Sequence, residues 1–408
     1  MSIRSTFTAP KNYNTIAWTF MAIGLLSIIG LWVTSGSSTD PKEQARFWAS
    51  LLQNSVFFLL IVNASMFFFC ITTLAWGGWQ MSFRRVPEAI SAVVPVLGVI
   101  AAAILLSIVF GDNHTIYHWT DAEHVQHDEI LSHKKGFLNK TFFSVVTILT
   151  VGLWSLLGWK MRQLSRSLDN EPLATLEERK KYIFKNTVWA ALYIVVFSLT
   201  VMSSLPWLWL MSIDAHWYST MYSWYTFAST FVSGMSLVAI YVIFLKNRGQ
   251  LEYVTEEHLH DVGKFMFAFS VFWTYLWFSQ FMLIWYANLP EEVVYYQIRW
   301  NYFKSLWVAN LLINFCAPFL VLMTRDAKRK VQVIWLAGII IICGHWLDVY
   351  LMVTPGTVGK GWSIGFTEVG TFIGYLGLFL FSTFRELSSA PLVPKNHPML
   401  PESVHHHI

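Results

Sequence analysis

The stretch from His258 to Trp285, HLHDVGKFMFAFSVFWTYLWFSQFMLIW, begins with titratable side chains and continues as an almost unbroken aromatic and apolar run. An α-helix needs roughly 20 mainly apolar residues to cross a bilayer, and this run is long enough. Its polar members are unevenly placed, because His260, Asp261 and Lys264 lie at the start whereas Gln280 lies deep in the run. The stretch therefore predicts a membrane-spanning helix with a polar mouth and one buried amide.

The rest of the chain has the same apolar character. Of its 408 residues, 55% are hydrophobic, 17% are aromatic and only 13% are charged, which is not the balance of a soluble protein. About ten segments are long and apolar enough to span a membrane, and the prediction is an all-α integral membrane protein of about ten transmembrane helices. We place the spans at residues 14–34, 47–75, 88–110, 137–159, 184–211, 218–245, 261–287, 302–323, 331–353 and 363–384.

The first span and the distribution of basic residues fix the predicted topology. Residues 14–34 follow Arg4 and Lys11, but this apolar run is long for a signal peptide and no A-x-A site follows it. With both termini on one side, that side holds 20 of the 28 Lys and Arg residues, so both termini are predicted to be cytoplasmic. The net charge of +4 reflects this topology. The predicted partner is the lipid bilayer, and because no basic stripe is present we predict that the chain does not bind nucleic acid.

Ionisable side chains inside the predicted spans are few. Each costs on the order of 2.5 to 3.5 kcal/mol at the centre of a helix in a bilayer, so each is a candidate functional residue. His345 and Asp348 are three residues apart and share one helical face, and Glu368 in the next span is expected at similar depth. These residues, with Gln280, form either a proton-exchanging cluster beside a quinol or a water-filled path, or a polar contact that locks helices together.

The polar mouth of the quoted stretch also has two interpretations. His260 and Asp261 are four and three residues from Lys264, so the three side chains share a helical face that continues through Tyr275 and Ser279. They form either a cytoplasmic proton entrance or an interfacial cap that snorkels towards water.

Several motifs that would bind cofactors are missing from the sequence. Cys70, Cys316 and Cys343 form no C-x-x-C pair, and His345 is the only histidine well inside a span, so paired axial ligands for haem b are lacking. The His-rich outer loop at 111–136 has no cysteine and no defined ligand quartet, which favours a surface for a partner protein over a metal site. We predict that this chain binds no cofactor or metal and cannot pass electrons by itself.

Three groups of residues resemble one known family. They are His258-x-His-Asp-x-Gly-Lys with Phe272-Trp-x-Tyr-x-x-Phe-Ser-Gln-x-x-Leu-Ile-Trp and Asn288-x-Pro-Glu-Glu, then His118-Trp with Lys135-Gly-Phe-Leu-Asn-Lys-Thr-Phe-Phe, and Gly344-His-Trp-x-Asp-x-Tyr. Together they resemble the NrfD/PsrC-like membrane subunits of bacterial alternative complex III, a quinol:cytochrome c oxidoreductase, and most resemble its smaller, ActF-type subunit. The likeness covers roughly residues 45–385.

The resemblance implies an architecture and a set of partners. It implies two four-helix bundles with flanking helices, which agrees with a weak four-helix offset between spans two to five and six to nine. The implied domains are 1–46 with the first span, 47–217 as the first bundle, 218–360 as the second, and 361–408 with the tenth span and a Pro-rich, extended cytoplasmic tail. Haem c and iron-sulfur clusters would lie in partner subunits in the bacterial inner membrane, and quinol would be the substrate of the complex.

Several functions remain open at this stage. The leading hypothesis is a membrane subunit of a quinol-oxidising respiratory complex that contributes a proton pathway or the surroundings of a quinol site. The alternatives are the quinol-oxidising paralogue itself, a scaffold that only anchors redox subunits, and a ten-helix secondary transporter.

Overall fold

The computed structural model describes residues 7–9, 11–111, 113–169 and 172–407, and it confirms the predicted all-α membrane fold. Arg4 and Glu171, which belong to the predicted N-terminal segment and cytoplasmic connector, lie outside the described residues. Ten helices in the described chain are long and apolar enough to cross a membrane. They are α1 (Asn12–Gly36), α2 (Pro41–Leu74), α3 (Arg85–Phe110), α4 (Lys140–Arg166), α5 (Leu176–Asp214), α6 (Met221–Lys246), α7 (Glu256–Ala287), α8 (Lys304–Leu322), α9 (Val331–Thr357) and α10 (Phe366–Leu387).

Local side-chain bonds set where several of these helices begin and end. The Asp40 carboxylate accepts from the Lys42 amide at 2.9 Å, and Pro41 occupies the first turn of α2. Asn139 caps α4 in the same way, by accepting from the Phe142 amide at 2.7 Å. At its other end, α7 stops at Asn288, whose φ of 49° lies in the left-handed region that terminates helices.

Eight of the spans pack as two rings of four. Neighbouring helices of α2 to α5 contact each other, and α5 closes the first ring onto α2. The second ring is α6 to α9, closed by the contact of α9 with α6. The rings meet where α2 packs on α6 and α9, and in both α2 and α6 89% of the most apolar stretch is buried inside the protein. The hydrophobic core therefore runs along α2 and α6, at the junction of the two rings.

The two flanking spans, α1 and α10, pack on each other along their length. Small residues allow this close approach, because a Cβ added to Gly24 would lie 2.1 Å from the Gly374 Cα. Farther along α10, a Cβ added to Gly377 would lie 2.7 Å from the Phe20 Cβ and from the Met21 backbone nitrogen. Small residues at such crossings are a general means of bringing helices together in lipid.

The segments between spans lie on two faces. We call the side where α1 begins and α10 ends the terminal face, and the opposite side the loop face. The loop face holds short helices at Ala122–His127, Glu129–Lys134 and Pro290–Tyr302. Lys134 Nζ donates to the Ala215 carbonyl at 2.6 Å, which ties the His-rich loop to the chain that follows α5.

The C-terminal tail differs from its predicted extended form. Leu392 and Val393 are buried, and a short helix at Leu400–Val404 packs on the 3₁₀ turn Gly78–Ser82. The tail is anchored because its polar side chains find buried partners on the terminal face, whereas its proline content indicated only that it could not form a long helix. It therefore covers part of the terminal face.

Candidate functional site

A buried carboxylate lies inside the second ring. Asp348 of α9 is fully buried, and its Oδ1 accepts from the Tyr225 hydroxyl and from Asn310 Nδ2 at 2.8 Å. Its Oδ2 accepts from Trp273 Nε1 at 3.0 Å. Tyr225, Trp273 and Asn310 belong to α6, α7 and α8, so every helix of the second ring contributes one residue to this group. We call Asp348, its three donors and His345 the Asp348 cluster.

His345 is brought next to Asp348 as the sequence predicts. Its Nδ1 lies 3.6 Å from Asp348 Oδ2 and 2.9 Å from Ser229 Oγ of α6. Its Nε2 is buried without a hydrogen-bond partner among the described residues, and the Trp273 ring stands edge-on at 5.3 Å. The imidazole thus has one nitrogen engaged in the cluster and one available to another group.

A second amide extends the cluster along α8. Asn314 Nδ2 donates to Asn310 Oδ1 at 2.6 Å, and its own Oδ1 has no partner among the described residues. Asn314 lies in a π-helical segment, Leu312–Cys316, which places it one turn from Asn310 on the side that faces α9. Gly344 makes this contact possible, because a Cβ there would lie 2.2 Å from Asn314 Oδ1.

A small cavity lined by both polar and apolar residues adjoins the cluster on its loop-face side. Its volume is about 20 Å³, which is enough for roughly one water molecule. Tyr225 and Asn310 of the cluster line it together with Gln280 and Arg299. Gln280 Nε2 is buried without a partner among the described residues, so this amide has a free donor where such a water would lie. The predicted site residue Gln280 therefore joins the Asp348 cluster through the cavity.

Arg299 separates this cavity from the loop face. It is 3% exposed, donates to the Leu351 and Tyr295 carbonyls at 3.2 and 2.8 Å, and lies over the Tyr295 ring at 3.3 Å from its centre. Its Nη2 lies 3.8 Å from Asp214 Oδ2 and makes no hydrogen bond among the described residues. On the far side, Tyr295 and Asp214 line a loop-face pocket of about 380 Å³.

Glu368 does not join the Asp348 cluster. Its Oε1 accepts from Arg46 Nε of α2 at 2.6 Å, and its Oε2 accepts from the Gly365 amide at 2.9 Å and the Thr367 hydroxyl at 3.0 Å. These bonds cap the start of α10 and pair it with α2. Glu368 and Asp348 were expected at similar depth, but Glu368 lies in the first turn of α10 and faces α2, whereas Asp348 lies well inside α9 and faces the interior of the second ring.

The polar mouth of α7 forms a separate group at the terminal face. Asp261 Oδ1 lies 2.6 Å from Lys264 Nζ and 3.9 Å from His260 Nδ1, so the three predicted residues do meet. A fourth partner comes from the tail, since His406 Nε2 lies 2.9 Å from Asp261 Oδ2. The predicted continuation through Tyr275 is wrong, because Tyr275 is 63% exposed on the outer surface of the helix.

Aromatic rings lie between this mouth and the Asp348 cluster. Phe265 and Phe269 follow Asp261 along α7 and pack on Phe231 of α6, with ring centres 6.3 and 4.3 Å apart. Ser270, the next buried polar residue along α7, has no hydrogen-bond partner for its hydroxyl among the described residues. The polar groups that adjoin the Asp348 cluster through a cavity are therefore those towards the loop face.

Sequence reasoning missed a second buried charged group, in the first ring. Arg84 Nε donates to Glu88 Oε1 at 2.8 Å, and Arg85 Nη2 donates to Asp169 Oδ1 at 2.7 Å. Arg84 and Arg85 counted only as cytoplasmic charges in the topology prediction, yet they are 0% and 4% exposed. The i, i+4 spacing of Arg84 and Glu88 was the available signal. Burial raises the pKa of the Asp169 carboxyl, and the charge of Arg85 opposes that rise.

Among the residues that the structure describes, no group of three His, Cys, Asp or Glu side chains is arranged to hold a metal ion. No protein-family model matches the chain, and no curated protein matches it at a significant level. The geometry of the Asp348 cluster therefore carries the functional argument, together with the residues that bear the family resemblance.

Proposed function

We propose that this chain is a membrane subunit of a quinol-oxidising respiratory complex, and that its Asp348 cluster carries protons between the interior of the second ring and the loop face. The observation that supports this most directly is the fully buried Asp348 carboxylate, held by three neutral donors beside His345. Protonatable groups at this depth in a membrane protein commonly mark proton relays.

The chemistry of the donors favours proton exchange. Trp273 and the Asn310 amide nitrogen are donors only, whereas the Tyr225 hydroxyl can donate or accept. When Asp348 takes up a proton, Tyr225 is therefore the partner that can reverse its hydrogen bond. Tyr225 also lines the water-sized cavity, so a proton leaving Asp348 has a relay towards Gln280 and Arg299.

The size of the cavity favours a proton path over quinol binding at Asp348. Pockets for ring-bearing ligands typically measure roughly 300 to 1,000 Å³, whereas this cavity measures about 20 Å³. A water fits beside the cluster and a quinol ring does not. The loop-face pocket of about 380 Å³, on the other side of Arg299, is where the proposed path ends.

Membership of a quinol-oxidising complex rests on the family resemblance. Two of its sequence motifs lie far apart in the chain, and their polar residues Trp273, Gln280, His345 and Asp348 meet at one place in the structure. The chain would then sit in the bacterial inner membrane with its terminal face in the cytoplasm, as the positive-inside rule predicts. Haem c and iron-sulfur clusters would belong to partner subunits.

Asp348→Asn tests the proton path. We expect this variant to assemble, because asparagine keeps the size of the side chain, and to lower quinol turnover or the linked proton release at least tenfold. The measurement is turnover and proton release of the intact complex in liposomes, with the exposed Asp326→Asn as the matched control. Unchanged turnover and proton release in an assembled Asp348→Asn complex would discard the site.

Complex membership has its own test. Mild solubilisation of the native membrane followed by purification through this chain should recover multihaem and iron-sulfur proteins in fixed proportion. Recovery of the chain without redox proteins would reject the proposed complex and favour a transporter.

A further inference from the structure

The C-terminal tail contacts both rings at the terminal face. Glu402 Oε1 accepts from the Gly78 amide at 3.0 Å, and Ser403 Oγ accepts from the Ser82 amide at 3.0 Å. Ser403 Oγ also lies 3.1 Å from His258 Nε2 at the start of α7. Gly78 and Ser82 lead into the first ring, whereas His258 belongs to the second, so the short tail helix bridges the rings.

Two histidines extend the bridge in opposite directions. His397 Nε2 accepts from Arg84 Nη1 at 2.8 Å, at the entrance of the first ring. His406 reaches the second ring through its 2.9 Å contact with Asp261 Oδ2. His397 is 5% exposed and His406 lies beside the Trp79 ring, at 6.1 Å between ring centres. The tail thus covers Asp261 at one end and Arg84 at the other.

The surroundings of His397, which we call its seat, favour a neutral imidazole over an imidazolium, because a neutral ring can accept from one of the two N–H groups that it faces and an imidazolium from neither. One ring nitrogen faces Arg84 Nη1, and the other, Nδ1, faces the Met399 amide at 3.2 Å, so both nitrogens face N–H groups. An imidazolium needs acceptors at both positions and would stand beside the Arg84 charge. The Tyr182 ring stands edge-on at 5.7 Å and adds no negative charge.

The other charges around the seat do not reverse this preference. Glu88 is occupied by its 2.8 Å bond from Arg84, and Asp169 by its 2.7 Å bond from Arg85. Burial, then the charges of Arg84 and Arg85, hold the pKa of His397 well below its usual range. At the other end of the tail, a proton on His406 would strengthen its contact with Asp261, which already faces Lys264.

We propose that residues 388–407 form a strap that joins the two rings across the terminal face, and that protonation of His397 releases residues 391–399 of the strap from Arg84. The end at His406 stays on Asp261 when this happens. The strap itself follows from the contacts of the tail alone.

The sign of the pH response follows from the seat. A free histidine has a pKa near 6.5. The pKa of His397 in contact with Arg84 is lower, so a proton binds more readily to the released His397. Seating is therefore complete above about pH 6.5 and weakens as the pH falls below it, by roughly tenfold in the seated-to-released ratio per pH unit.

Hydrogen exchange of the full chain in lipid nanodiscs tests the strap. After correction for intrinsic exchange, we expect amides at 391–399 to lose protection about tenfold between pH 7.5 and pH 5.5. Peptides at 402–407 should lose less, because His406 holds them. Equal protection at both pH values in the wild-type chain would overturn the proposal without any variant being made.

Two glutamine variants assign the response. His397→Gln keeps an acceptor for Arg84 but cannot be protonated near neutral pH, so protection at 391–399 should no longer change with pH. His405 is exposed on the same tail, and His405→Gln should keep the wild-type response. A pH response that survives His397→Gln would assign the release to another group and reject the mechanism.

Hydrogen exchange measures the order of the strap even if Asp348→Asn leaves turnover unchanged. Failure of this proposal and failure of the proposed function are therefore distinguishable.

Discussion

At the residue scale, the Asp348 cluster depends on close contacts that a single methyl group would disturb. Gly344→Ala places a Cβ 2.2 Å from Asn314 Oδ1 and 2.6 Å from Ile313 Cγ2, so α8 and α9 must separate. We expect a loss of about 1 to 3 kcal/mol in stability, as for other overpacked cores, and a lower turnover of the proposed complex. Thermal unfolding of the purified protein and turnover of the complex are the measurements.

Gly152→Ala is the matched control for that substitution. A Cβ at Gly152 meets nothing within 4 Å, so alanine should leave turnover unchanged and stabilise the helix by up to about 1 kcal/mol. Equal melting temperatures for the two variants would show that α9 at Gly344 lies farther from Asn314 than the structure places it.

The residues of the cluster differ in how far the sequence could predict them. His345 and Asp348 were found because helical spacing alone puts them on one face. Tyr225 and Trp273 were not predicted as site residues, because nothing local in the sequence distinguishes an aromatic ring that only packs between helices from one that donates to a carboxylate. Arg299 was read as a loop-face charge, since its burial depends on the stacking of Tyr295 beneath it.

At the element scale, the sequence predicted the helices better than their partners. All ten spans were placed correctly because length and hydropathy decide them. Which spans pack together is decided by the small residues and polar contacts of facing helices, and these are visible only in three dimensions. Glu368 shows the difference, because its place in the tenth span was predicted but its partner, Arg46, was not.

The pairing of α1 with α10 gives a test at this scale. Gly374→Val would force apart two backbones that approach so closely that an added Cβ lies 2.5 Å from the Gly24 Cα. We expect α1 to lose hydrogen-exchange protection while the Asp348 cluster and the two rings stay intact. Gly30→Val is the control, because its nearest neighbour across the interface is the Thr367 methyl at 3.9 Å. Undiminished protection of α1 in Gly374→Val would contradict this packing.

At the scale of the whole molecule, the distribution of charge predicts the orientation in the membrane. Lys360 is exposed on the loop face and Asp326 on the terminal face. We expect a membrane-impermeant maleimide to label Lys360→Cys from outside the intact membrane, and to label Asp326→Cys only after the membrane is broken. The reverse pattern would invert the proposed topology, and with it the direction of the proton path.

The close pairing of α1 with α10 also bears on the order in which the protein is made. The ribosome synthesises α1 long before α10. The face of α1 that later contacts Gly374 must therefore first lie against lipid or an insertion factor. The two rings contain their own closing contacts and have no need to wait. In biogenesis the two rings should therefore close before α1 reaches its final position against α10.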